Sequence, residues 1–220
     1  MIVVLSGASG SGKTSACKIV AEAARAAQIS AGGILCGAIF QDGRKVGIEC
    51  SDLAASPALR PWPLAQIRPD WAGQTPFAAT PPSMTPVKPA FDDSEARVLR
   101  YGMWEFSKLA LVAADQAIVR YAAALELPGN QGKRIIFVDE IGPLELDRSA
   151  GLVQSLAILD GAASRHEADR MFLVVARPDI AGRLIERWPC SAMVEMDATG
   201  SVATANAILA TLGSLRAWNG

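Results

Sequence analysis

Residues Gly7-Ala8-Ser9-Gly10-Ser11-Gly12-Lys13-Thr14 satisfy the spacing G-x-x-x-x-G-K-[ST]. Glycines let a backbone wrap an anion with several N–H groups pointing inward. A helix opening at Lys13 would set the positive end of its dipole, worth roughly half a charge, against the same anion. Lys13 adds a mobile ammonium, and the hydroxyl of Thr14 is able to coordinate a divalent cation. Ser9 and Ser11 can add hydrogen bonds, and Ala8 and Ser15 complete the segment Gly7 to Ser15 expected to hold phosphates.

Such a loop needs a second acid at the end of another strand, and Ile135-Ile136-Phe137-Val138-Asp139-Glu140 supplies it. Asp139 is expected on the metal side, acting through water on the Mg²⁺ that Thr14 coordinates, and Glu140 is placed to orient a water for in-line attack on a γ phosphate. This reading makes Lys13 and Glu140 the catalytic pair and a nucleoside triphosphate the substrate. No base-reading motif separates ATP from GTP. Two alternatives use the same cradle: a small-molecule kinase, with Arg177, Arg183 and Arg187 as its lid, and a nucleotide-gated switch that hydrolyses slowly.

Other residues carry less. Arg177 follows an expected strand and should emerge at the same sheet edge as the phosphate loop, to sense the γ phosphate or to pair with Asp179 or Glu186. Arg44 and Arg100 are weaker candidates. His166 lies in a charged run and reads as solvated loop. Cys17 reads as a packing residue of the first helix, and Trp104 and Trp188 as core or rim residues before stacking platforms.

The elements that must position these groups follow from apolar patterning. Ile2 to Leu5 is a short apolar run that reads as a buried parallel strand, and an alanine-rich helical pattern runs from Lys13 to about Gln28. Gly33 to Phe40 and Arg44 to Cys50 flank Asp42-Gly43 and predict an antiparallel hairpin. A short strand is expected around Val98 to Met103, then a helix from about Glu105 to Leu125, stopped by Pro128-Gly129-Asn130. Ile135 to Val138, Met171 to Ala176 and Ala192 to Met196 read as strands. Helical patterns cover Ala150 to Ala163, Ile180 to Arg187 and Val202 to Leu215. The alternation implies a parallel sheet covered on both faces, with no internal repeat.

Nine of the 13 prolines crowd into Pro57 to Pro89. That density predicts an irregular insertion, Ala54 to Ala96, without helix or central strand. Its Trp62, Trp71 and Phe77 should fold it back on the body as a candidate lid or protein-partner surface.

The chain has 220 residues, half of them apolar, enough for one domain with a sizeable core. Lys and Arg total 21 against 22 Asp and Glu, so no charge excess suggests nucleic acid or an anionic membrane as partner. No apolar run reaches the roughly 18 residues of a membrane span, and the opening lacks the form of a signal peptide. The cysteines stand singly, and His166 has no histidine companion for a zinc site, so a reduced cytoplasmic compartment is expected.

The chain also resembles a known family, the small P-loop nucleoside triphosphatases that include thermophile enzymes and the cancer-related nucleoside triphosphatase. Asp139-Glu140-Ile141-Gly142-Pro143-Leu144-Glu145-Leu146 is similar to its Walker B signature, with Leu144 where Met is usual. Gly37-Ala38-Ile39-Phe40 and Asp42 to Ile48 resemble its hairpin, although the aromatics of the first segment are not in their expected places. Arg100-Tyr101 lies where the family has Gly-Lys-Tyr. The resemblance implies Mg²⁺-dependent hydrolysis with broad base tolerance, and carries Gly7, Gly12, Lys13, Thr14, Asp139 and Glu140 as functional residues. The expected fold is a three-layer α/β/α P-loop NTPase fold with a mainly parallel sheet, one antiparallel hairpin and the proline-rich insertion.

Overall fold

A computed structural model describes residues 1–55, 61–71, 97–124, 133–165, 170–196 and 200–214. His166, Phe77, the Pro128-Gly129-Asn130 stop and most of the proline-rich insertion lie outside this set.

Strand β1 (Ile2–Ser6) leads through the glycine loop into α1 (Lys13–Ala26). The hairpin is β2 (Ser30–Gln41) and β3 (Arg44–Asp52), turning at Asp42 and Gly43, both at positive φ as an Asp-Gly hairpin turn requires. Then come β4 (Trp62–Ile67), β5 (Val98–Tyr101), β6 (Trp104–Ser107) and α2 (Lys108–Ala124). The second half runs β7 (Arg134–Asp139), α3 (Pro143–Arg148), α4 (Val153–Ser164), β8 (Arg170–Ala176), α5 (Pro178–Arg187), β9 (Ala192–Glu195) and α6 (Gly200–Ser214).

Among the described residues all nine strands join one sheet in the order β5-β6-β4-β3-β2-β7-β8-β1-β9. From β2 to β9 the neighbours are parallel, and from β2 to β5 they are antiparallel. Side chains of β1 alternate across it, as the strand period of two demands. Val3 and Leu5 pack with Ala16, Cys17 and Val20 of α1 and Ala205 and Ile208 of α6. Ile2 and Val4 belong to the opposite layer, with Ile118 of α2, Leu159 of α4 and Leu184 of α5. Three layers result, with one buried core on each face of the central strands.

The antiparallel part is larger than one hairpin, for two physical reasons. Helix α2 begins at Lys108 rather than Glu105, because the Ser107 hydroxyl accepts from the Ala110 N–H, 3.2 Å away, as an N-cap does. That frees Trp104–Ser107 to pair with both β4 and β5. Strand β4, in turn, forms inside the proline-rich segment, where a central strand was not expected. Pro63 is tolerated because β6 runs only alongside Ala65–Ile67, and because Pro63 sits opposite Glu49 where the β3–β4 register shifts. A 3₁₀ turn, Pro69–Trp71, follows.

Helix α3 has its own start signal, Pro143 at the first helical position. Buried Asp115 of α2 accepts from the N–H groups of Gln154 and Ser155 and from the Ser155 hydroxyl, so its carboxylate caps α4 from a neighbouring helix. No helix among the described residues is long and apolar enough to cross a membrane.

Candidate functional site

At the carboxyl edge of the parallel strands the loop after β1 turns under the N-terminus of α1. Gly10 and Gly12 have φ of 78° and 99°, the left-handed region that other residues adopt only with strain. At Gly12 space also matters, since a Cβ there would lie 2.6 Å from the Ser201 hydroxyl oxygen. At Gly7 it would lie 2.7 Å from Met196 Cβ, so the loop is wedged between α1 and the β9–α6 junction.

Lys13 Nζ donates to the carbonyls of Gly7 and Ala8, at 2.6 and 2.7 Å. Its ammonium therefore rests across the mouth of the loop. Desolvation lowers its pKa, against the pull of Asp139 and Glu140 in the other direction.

Thr14 and Asp139 meet although 125 residues separate them. Thr14 Oγ1 donates to the Cys36 carbonyl at 3.0 Å and to Asp139 Oδ2 at 3.3 Å. The Cys36 N–H donates to the same Oδ2 at 2.8 Å. Asp139 is 1% exposed, and burial, with Glu140 next, pushes its carboxyl up to about 7. The backbone of Cys36 in β2 thus ties the loop hydroxyl to the acid of β7. Sequence reasoning missed this role because peptide groups carry it, and no side-chain type announces it.

A hydroxyl and a carboxylate oxygen this close are hard donors of the kind Mg²⁺ takes, in ones or twos, alongside water and substrate phosphate. The donor set therefore fits the ion. Among the described residues no cluster of three or more His, Cys, Asp or Glu offers an all-protein metal cage.

Glu140 is exposed and has φ 71°, a left-handed conformation that costs a non-glycine residue energy. Its N–H donates to the Val175 carbonyl at 3.2 Å, which pins it between β7 and β8. Arg177, at the end of β8, is exposed and makes no ion pair with Asp179 or Glu186. One cavity of about 470 Å³ brings together Ser9, Gly10, Gly12 to Ser15, Asp139, Glu140 and Arg177. Such a volume is in the range of small-molecule sites. Gly7, Ala8 and Ser11 do not line this cavity, and the first two are carbonyl acceptors for Lys13.

Several other residues fall elsewhere. Arg183 and Arg187 pair with Asp147 and Asp160 at 2.5 and 2.6 Å and do not line the cavity, whereas Arg177, the third arginine of the kinase alternative, does. Arg100 pairs with buried Glu105 at 2.8 Å. Trp188 and Cys17 are core residues, whereas Trp104 lines the cavity with Lys45 and Tyr101, both overlooked by the sequence reading of the site.

Glu145 supports the wall beside the acids, accepting from the N–H of Gly142 at 2.8 Å and of Leu152 at 3.0 Å. Burial pushes its carboxyl up to about 7 from 4.5. The folded chain therefore holds this proton more tightly than the unfolded chain. The stability it contributes is present below about pH 4.5 and is lost as the pH rises through about 7. In denaturant titrations across that window, wild type is expected to lose about 3 kcal/mol relative to Glu145→Gln. Parallel stability curves for the two proteins would contradict it.

Strand, glycine loop, helix and a second strand ending in adjacent acids define an α/β protein with the P-loop NTPase fold. An NTPase family model matches residues 2–58. The structure is similar to a human cancer-related nucleoside triphosphatase at 17% identity, with a TM-score of 0.64 and coverage of 97% of this chain and 98% of that one. It is also similar to THEP1 from the hyperthermophile Aquifex aeolicus at 14% identity, with a TM-score of 0.56 and coverage of 96% and 99%. Comparison with curated proteins gives no significant match. The family match and the shared fold support the resemblance to the small P-loop nucleoside triphosphatases.

Proposed function

We propose that this chain binds a nucleoside triphosphate with Mg²⁺ and hydrolyses it to the diphosphate and phosphate, with broad tolerance for the base. The observation that carries the reading is the shared cavity, in which the glycine loop, Lys13, Thr14, Asp139 and Glu140 converge from two parallel strands.

In this reading the backbone N–H groups of Gly7 to Ser15 wrap the phosphates, and Lys13 exchanges two carbonyl partners for phosphate oxygens. Thr14 and Asp139 hold Mg²⁺, which neutralises the phosphate charge when bound. Glu140 lies beside Asp139, carries its carboxylate into solvent-accessible space, and orients a water while accepting its proton. Arg177 faces the same space and supplies positive charge where negative charge develops on the γ phosphoryl group. Positioning and electrostatics do most of the work, as is general for phosphoryl transfer.

Affinity is then concentrated on phosphates rather than on the base. Titrations with ATP and GTP in Mg²⁺ are expected to give dissociation constants within about tenfold of each other, a difference under about 1.4 kcal/mol. Chelating the metal should weaken both. A preference above about a hundredfold for one base would contradict base tolerance, and binding indifferent to chelation would contradict the roles of Thr14 and Asp139.

A further inference from the structure

The cavity does not stop at the phosphate loop. Strand β2 continues past its last pairing with β7, Ile34 opposite Val138, so the β2–β3 hairpin projects beyond the carboxyl edge where Asp139 sits. Lys45, near the hairpin tip, and Trp104 of β6 line the cavity there. Lys45 Nζ lies 5.3 Å from the centroid of the Trp104 ring.

The partners of the basic residues are informative. Arg68, Arg100, Arg183 and Arg187 each bind a carboxylate, at distances from 2.5 to 2.8 Å. Lys45 has none among the described residues and rests only on an aromatic face, a weaker partner than an anionic oxygen. Lys13 and Arg177 are likewise without a carboxylate partner and line the same cavity. Beyond desolvation and the opposite pull of Asp139 and Glu140, the charges of Lys45 and Arg177 both disfavour the protonated form of Lys13, so the three cations feel one another across that space. Like charges left unpaired around one cavity are stabilised by a polyanion.

We propose that Lys45 is a further catalytic residue: with a nucleoside triphosphate bound, its ammonium leaves the Trp104 ring and donates to a γ-phosphate oxygen. This deepens the nucleoside triphosphate reading and rests on it. Lys45 comes from the projecting hairpin and Lys13 from the phosphate loop, so in this proposal Lys45 serves the third phosphate alone and Lys13 the cradle itself. It therefore discriminates triphosphate from diphosphate, and Trp104 is its resting place in the absence of ligand.

The test compares affinities for ADP and for an imido-bridged, non-hydrolysable ATP analogue, in Mg²⁺, across wild type, K45M and K45R. K45M is expected to lose about tenfold or more in analogue affinity, with ADP affinity changed less than about twofold, and K45R to recover most of the loss. Tryptophan emission should change on adding the analogue but not ADP, and W104F should remove that response. If K45M does not fold, K45Q takes its place. Equal losses for both nucleotides, or no loss for either, would overturn the role of Lys45 while leaving the hydrolase reading intact. Wild type that binds neither nucleotide would overturn both.

Discussion

Replacing Lys13 with alanine is expected to reduce phosphate release by about 10²–10³-fold or more and to weaken nucleotide binding at the same time. In the proposed mechanism the two losses go together because the ammonium acts on phosphate oxygens both in the bound substrate and as charge shifts during cleavage. Of its present partners, the Gly7 and Ala8 carbonyls, the second belongs to an exposed residue, so water can replace the ammonium there. Folding stability should therefore stay within about 1 kcal/mol of wild type. Steady-state phosphate release, equilibrium binding and a thermal melt on the same preparation check all three statements. Near-normal hydrolysis by Lys13→Ala would remove the loop from the mechanism.

The second large effect concerns Glu140, where function and stability are expected to separate. Glu140→Gln keeps the shape and removes the carboxylate, and it should lower turnover by about 10²–10⁴-fold with nucleotide affinity nearly unchanged. Glu140→Gly should lose turnover similarly. Because the backbone sits at φ 71°, glycine should also relieve strain and stabilise the fold by about 1 kcal/mol. A candidate catalytic residue held in a costly conformation is consistent with a geometry kept for chemistry. A Glu140→Gly protein that is less stable than wild type, or a Glu140→Gln protein that turns over normally, would contradict this assignment.

The central layout was legible where residue type and backbone geometry coincide. Glycine adopts the positive φ at Gly10 and Gly12 without the strain another residue would carry, and a run such as Ile135 to Val138 has no stable place except between two covered faces. Legibility failed where an interaction overrides a local pattern. Phe106, Leu109 and Ala110 have helical spacing, yet the Ser107 cap starts the helix after Phe106, and Glu105 is drawn into β6 with Arg100 and Gln66 as partners. Pro63 argues against a strand until the register shift opposite it is known. The short helix α3 carried an overlooked signal, Pro143 with Glu145 two residues on, the latter accepting from the Gly142 N–H.

The site divides along the same line. Its loop and its two acids are written in side chains, and so was the placement of Arg177 at the strand edge. The Cys36 peptide that joins Thr14 to Asp139 acts through backbone atoms. Lys45 and Trp104 become neighbours only because β4 and β6 add to the sheet beside β3, a pairing that local patterning does not encode.

The most direct test of the account is release of inorganic phosphate from ATP and GTP by the wild-type protein, with Mg²⁺ and then with a chelator. The account predicts steady release from both nucleotides, lost on chelation. Tight nucleotide binding with no phosphate release from either would contradict hydrolysis as the function, and would direct the same cavity toward a phosphoryl acceptor or a protein partner.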